Sequence, residues 1–258
     1  MIGAILGDVV GSRFEHHPIK TTEFDLLTVA CEATDDSVLT VATAEALMGD
    51  RDFASAYREW GRRYPWAGYG GWFLDWLDDE EAGPYRSFGN GSAMRVAPVG
   101  WFASSLEEAL ELARETAVVT HDHPEGVKGA KAVAAAVWLA RQGVEPSKLR
   151  DELEARFAYE LRRSISNIRL TYAFDVTCQG SVPEALICAL EARSVEEAVR
   201  LAVSLGGDAD TQACIAGAVA EARFGGVPAE LEAAVRPYLD EEMAAVVESF
   251  RARHVVGP

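Results

Sequence analysis

Apolar residues recur at i, i+3 and i+4 along most of the chain, the spacing that lines one face of an α-helix. The pattern predicts helices over 36–49 (DSVLTVATAEALMG), 105–119 (SLEEALELARETAVV), 126–143 (GVKGAKAVAAAVWLARQG), 145–157 (EPSKLRDELEARF), 194–205 (SVEEAVRLAVSL) and 211–224 (TQACIAGAVAEARF). Ser105 with Glu108, and Ser194 with Glu197, read as capping boxes. Pro183 is expected in the first turn of a helix carrying EALICALEA. The stretch 1–10 is apolar and reads as a buried helix. Asp8 and the glycines interrupt it well short of the ~20 residues that a membrane span needs. Alternating strand patterns are absent. Residues 61–92, rich in Gly, Pro and aromatics (RRYPWAGYGGWFLDW, GPYRSFGNGS), are predicted to be a long ordered loop with short helical pieces. With no repeat, low-complexity tract or break in composition, the simplest organisation is one all-α domain over 1–258.

Composition adds limits. The 258 residues are 49% hydrophobic and 25% charged, as in a folded globular protein. The formal net charge of −17, from 24 basic and 41 acidic residues, repels nucleic acid and anionic membrane. A phosphate-bearing ligand would therefore need backbone amides, metal ions or a few placed arginines. Cys31, Cys178, Cys188 and Cys214 show no zinc-like spacing, and no signal peptide opens the chain. Both point to a reduced, cytoplasmic setting. Only four of the 24 basic residues are lysines, a usage expected of a high-GC bacterium. A monomer is expected.

Two helix starts carry the chemistry. LGGDADTQACIAGA (205–218) places Asp208, Asp210 and Thr211 at the head of one predicted helix, and ATDDSVLT places Thr34, Asp35 and Asp36 at the head of another. Asp and Thr are favoured N-caps and acids suit the first turn, so either start alone is equally well a capped helix. Together they hold four carboxylates and two hydroxyls where one side chain suffices for each cap. If they face each other they form an all-oxygen site, suited to Mg²⁺, Mn²⁺ or Ca²⁺ and unsuited to zinc. So many carboxylates suggest two ions, which would hold vicinal oxygens of a substrate and activate a water. SFGNGSAMR (87–95) offers the amides of Gly89, Asn90, Gly91 and Ser92 as a nest for a diphosphate, with a plain Asn-Gly turn as the alternative. HxH in THDHPEG (120–126) joins two predicted helices and lacks a third nitrogen ligand, which argues against zinc. His123 and Pro124 read as turn and helix-start residues. The aromatics Trp60, Tyr64, Trp66, Tyr69, Trp72 and Trp76 are expected to serve packing, and Phe88 is the better candidate to stack on adenine.

GAILGDVVGSRFE, TDDSVLT, SFGNGSAMRVAPVG, THDHPEG and LGGDADTQACIAGAVA resemble, in order and approximate spacing, the motifs of the ADP-ribosylglycohydrolase family over nearly the whole chain. The resemblance implies a compact, orthogonal multi-helix all-α fold and a pair of Mg²⁺ or Mn²⁺ ions. It also implies cleavage of the bond between ADP-ribose C1″ and a modified side chain. It assigns Thr34, Asp35, Asp36 and Asp210 to one ion, and Asp208, Asp210 and Thr211 to the other. Ser87, Gly89, Asn90 and Gly91 would lie near the phosphates, and His121 near phosphate or ribose. Relatives often have tyrosine at Phe88, whose hydroxyl is missing here. Glu15 matches a glutamate on a mobile loop over the metals, and HHPIKTTEFDLL after it is polar enough for such a loop. Glu15, Asp35 and Asp208 are thus the candidate catalytic acids, Asp208 positioning water and Glu15 assisting the leaving group. Arg95 fits binding or structure. The partner is ADP-ribose, free or on a protein or small acceptor. The rivals are a two-metal phosphohydrolase and a non-catalytic ADP-ribose binder.

Overall fold

The computed structural model describes residues 1–254. The helices, in chain order, are α1 (Ile2–Gly11), α2 (Asp35–Met48), α3 (Phe53–Arg63), α4 (Gly71–Asp78), α5 (Gly91–Met94), α6 (Ala97–Phe102), α7 (Leu106–Val118) and α8 (Pro124–Arg141). They continue as α9 (Pro146–Phe157), α10 (Ile165–Thr171), α11 (Cys178–Glu191), α12 (Val195–Val203), α13 (Ala209–Phe224), α14 (Ala229–Val235) and α15 (Glu241–His254). Among the described residues there is no sheet, only one isolated bridge between Gly89 and Thr177. The fold is all-α, as expected.

Capping signals act where the sequence placed them. Ser105 accepts from the Glu108 amide at 3.1 Å and Ser194 from the Glu197 amide at 3.0 Å. The return bonds reach one residue further back, to the amides of Ser104 and Arg193. Pro183 departs from expectation. Its helix begins earlier, at Cys178, with the Thr177 side chain accepting from the Gly180 amide, so Pro183 lies inside α11 rather than in its first turn. The Thr177 cap, six residues upstream of Pro183, moved the start. Residues 64–90 form the expected ordered connection, carrying α4.

α13 is the centre of the core. Every residue from Ala209 to Ala222 is buried, and α1, α8, α11 and α12 pack on it. Its contact with α1 is the most intimate. A Cβ on Gly3 would lie 2.3 Å from the Gly217 carbonyl oxygen, one on Gly7 1.9 Å from the Ala213 oxygen, and one on Gly11 2.4 Å from the Asp210 Cα. The backbones therefore touch, and the rising numbers on α1 against falling numbers on α13 make the pair antiparallel. This register sets the C-terminal end of α1 against the N-terminal end of α13. It delivers Asp8, and Glu15 just beyond the 3₁₀ turn Ser12–Phe14, to the place where Asp208 and Asp210 begin their helix.

Candidate metal and ligand site

Three helix ends meet: the C-terminal end of α1 and the N-terminal ends of α2 and α13. Asp8, fully buried on α1, ties α2 in place. Its carboxylate accepts from the Thr34 amide at 3.0 Å, the Thr34 hydroxyl at 2.6 Å, the Ser37 amide at 3.0 Å and the Ser37 hydroxyl. Thr34 is the N-cap of α2, accepting from the Asp36 amide at 3.4 Å. Asp208 occupies the N-cap position of α13 but makes no capping hydrogen bond. Its Oδ2 instead accepts from the Asn90 side-chain amide at 2.7 Å. Asp210, one residue into the helix, accepts from the Thr211 amide at 2.9 Å, and the Thr211 hydroxyl donates to Asp36 Oδ2 at 3.2 Å.

The carboxylates fall into two groups sharing Asp210. Oxygens of Asp8, Asp36 and Asp210 lie within 4.8 Å of one another, and so do oxygens of Glu15, Asp208 and Asp210. Asp35 belongs to neither group but lines the same cavity. Burial, then the charge of its neighbours, raises the carboxyls of Asp35, Asp36 and Asp210 well above the ordinary aspartate range. Glu15 and Asp208 are raised mainly by burial, with the Asn90 hydrogen bond opposing it at Asp208. Asp8 is pushed up to about 6 by burial, against the pull of its Ser37 and Thr34 donors. Carboxylates this close and dry require protons or cations between them. The donor set is all oxygen, and Asp36 Oδ1 is buried with no hydrogen-bond partner. These residues fit hard divalent ions.

A cavity of about 490 Å³ opens on this cluster. Ser87, Gly89, Asn90 and Gly91 line it, as do His121, Trp72 and Tyr85. The loop departs in part from a four-amide nest. The Gly89 amide donates to Ser87 Oγ and the Asn90 amide to the Val176 carbonyl. The amides of Gly91 and Ser92, in the first turn of α5, have no intrahelical acceptor; Gly91 lines the cavity, whereas Ser92 is fully buried beside it. Ser92 turns its hydroxyl away, to the Gly126 carbonyl at 2.8 Å. Phe88, between two lining residues, is 39% exposed with its ring 5.3 Å from His123 rather than in the cavity wall. Of the aromatics read as packing, Trp60, Tyr64, Tyr69 and Trp76 are buried, whereas Trp66 is 77% exposed and Trp72 is 64% exposed and lines the cavity. His123 caps α8, its Nδ1 accepting from the Glu125 amide at 3.1 Å. The loop after Glu15 is tied down: Lys20 donates to the carbonyls of Tyr172 and Leu205, and Arg200 to those of Thr22 and Phe24.

Sequence reasoning missed Asp8, which it took only as an interruption of an apolar helix. The signal was there, since a carboxylate in a helix buried on all sides must be heavily hydrogen-bonded or ligated. It also missed that the Asn90 side chain holds Asp208.

The ADP-ribosylglycohydrolase family matches this chain over residues 1–256. The ADP-ribosylhydrolase ARH3 of Mus musculus is 28% identical over 305 aligned residues, covering 87% of this chain and 82% of its own. That of Homo sapiens is 27% identical, covering 87% and 84%. Among solved structures, an ADP-ribosylglycohydrolase-related protein complex has a TM-score of 0.75 at 26% identity, over 97% of this chain and 95% of the other. Sequence and overall structure agree: the chain belongs to the ADP-ribosylglycohydrolase family and is a hydrolase of that type.

Proposed function

We propose that the protein hydrolyses the bond between C1″ of ADP-ribose and a modified side chain or small acceptor, using two Mg²⁺ or Mn²⁺ ions. One observation carries the reading: Asp36, Asp208, Asp210 and the half-buried Glu15, from two carboxylate groups joined by Asp210, stand in the wall of the same cavity as Gly89, Gly91 and His121. Thr34, Asp35, Asp36 and Asp210 would hold one ion, and Asp208, Asp210 and Thr211 the other, with Glu15 beside the second group. When bound, the ions would fix the ribose hydroxyls and polarise the sugar towards an oxocarbenium-like transition state. Asn90 holds one oxygen of Asp208, leaving the other to orient or deprotonate water. Glu15, in the cavity wall beside Asp208 and Asp210, is placed to return a proton to the leaving group. Gly91 offers its amide to the diphosphate, and His121 a ring nitrogen.

The test offers purified protein a panel of arginine-, serine-, nucleobase- and O-acetyl-linked ADP-ribose with Mg²⁺ or Mn²⁺. Release of ADP-ribose with both phosphates intact is expected. A chelator should abolish it, and Zn²⁺ should not restore it. Release of AMP or inorganic phosphate would make the protein a phosphohydrolase, no product a binder, and full turnover in chelator would remove the metal reading.

A further inference from the structure

Arg95 is fully buried in the cavity wall of a chain that carries a large negative charge. Its guanidinium sits 4.2 Å from the Tyr57 ring centroid, and Nη2 donates to the Thr116 carbonyl at 2.8 Å and to Thr120 Oγ1 at 2.9 Å. Thr120 Oγ1 in turn lies 2.7 Å from His121 Nδ1. The far side of the imidazole faces the ligand loop: a Cβ on Gly91 would be 3.3 Å from His121 Nε2, and one on Gly89 3.5 Å.

Counting hydrogens along this chain fixes its direction. A guanidinium only donates, so one lone pair of Thr120 Oγ1 is taken by Arg95. The hydroxyl still has its own hydrogen, and His121 Nδ1, at 2.7 Å, is the acceptor in line for it. Nδ1 then carries no proton, and the single ring proton resides on Nε2. The opposite tautomer would give Thr120 Oγ1 two donors and turn its own hydrogen from the close His121 nitrogen to the neighbouring Tyr85 hydroxyl, giving up the shorter bond. Arg95 close by also opposes a second ring proton, in the same sense as burial, which is the larger cause of His121's lowered basicity.

We infer that Arg95 and Thr120 are positioning residues that lock His121 in the Nε2–H tautomer, so that it presents one hydrogen-bond donor over Gly89 and Gly91 to an acceptor oxygen such as a phosphate. The tautomer stands on the hydrogen bonds alone, while the named acceptor rests on the reading of this cavity as the ADP-ribose site. Arg95 thereby serves an anionic ligand without touching it. The otherwise isolated charge of a buried arginine is converted into the orientation of a neighbour's proton.

The test is ¹⁵N NMR of histidine-labelled protein, with the His121 signals assigned by their loss in His121→Asn. Wild type should show the Nε2–H pattern alone. Thr120→Val keeps the shape, removes the relay and should give mixed tautomers, while Thr120→Ser should restore the single pattern. Free ADP-ribose should bind Thr120→Val more weakly by the inverse of the fraction of His121 left in the Nε2–H form, about twofold for an equal mixture, and Thr120→Ser as wild type. An Nδ1–H pattern in wild type, or an unchanged tautomer in Thr120→Val, overturns the relay. An unchanged affinity alongside mixed tautomers overturns its role in binding. Failure of wild type to bind ADP-ribose, with the tautomer as expected, overturns the ADP-ribose reading and leaves the relay standing.

Discussion

Two buried aspartates of the cluster differ in what holds them. Asp8 is surrounded by four donors, two of them backbone amides that cannot turn elsewhere. Asp210 is met mainly by other acids, with Asp208 and Asp36 adding to the effect of burial. Removing the first strands donors, whereas neutralising the second relieves repulsion. In chelator, Asp8→Ala should therefore cost about 3 kcal/mol or more, since each stranded buried group costs about 1–3 kcal/mol. Asp210→Asn should leave stability near wild type or raise it. With Mn²⁺ the order of loss reverses in kind, because Asp210→Asn should lose most of the metal-induced rise in melting temperature. Denaturation with and without metal checks both, and a metal-induced rise in Asp210→Asn equal to wild type would return Asp210 to a first-turn acid. Asp208, Asp210, Asp35 and Asp36 were legible in the sequence because carboxylates crowded at helix starts exceed what capping requires. Asp8 was not, because its partners, Thr34 and Ser37, lie 26 and 29 residues away and only the fold supplies them.

Among the helices, the periodic ones are legible to within a few residues because packing and local preference agree. What the periodicity omits is register. Gly7 and Gly11 can be read as permitting a close approach, but the sequence does not say to what. The structure answers with the backbone of α13 from Asp210 to Gly217, and this contact brings Asp8 and Glu15 to Asp208 and Asp210. Gly7→Ala tests it. The added methyl would sit 1.9 Å from a backbone oxygen, which no rotamer change can relieve, so the helices must part. A loss at the upper end of the 1–3 kcal/mol typical of overpacking, about 3 kcal/mol, is expected. Metal affinity should fall as well, although no ligand is altered. Denaturation for stability and calorimetry with Mn²⁺ for affinity check the two halves. A variant with wild-type stability would mean that the α1–α13 contact yields without cost. α11 shows the opposite limit of legibility: Pro183 is a good helix-start signal, overruled by the Thr177 cap upstream.

For the whole molecule, the acidic composition and the acidic site act in the same direction. Asp8 has a folded value of about 6 against an ordinary 3.8, and Asp35, Asp36, Asp208 and Asp210 are raised as well. A group raised in the folded state binds protons more readily there than in the unfolded chain. Its stabilising contribution is therefore complete below 3.8 and is lost as pH rises through about 6. Carboxyls held lower than usual, such as Asp52, Glu108 and Glu197, pull the other way. They lie at the surface, where such bonds are screened and worth little. The buried His121 and the buried Met1 amino group, both held below their ordinary values, also favour the fold as pH rises, but they are two groups against the five raised aspartates, so the buried cluster decides the sign. Metal-free protein should lose stability as pH rises from about 4 to above 6. Saturating Mn²⁺ should flatten or reverse that slope, because a bound cation takes the place of the protons and binds more tightly as they leave. Self-repulsion of a chain at −17 also grows with pH, so the slope alone does not locate the effect. Asp210→Asn removes one carboxylate from the cluster and should visibly reduce the metal-free slope, while Glu115→Gln, the same charge change on α7 outside the cavity, should not. Calorimetric melting temperatures across this range, in chelator and in Mn²⁺, provide the comparison. Equal slopes with and without metal, or equal effects of the two variants, would place the pH dependence on the surface charge and remove the buried carboxylates from the account.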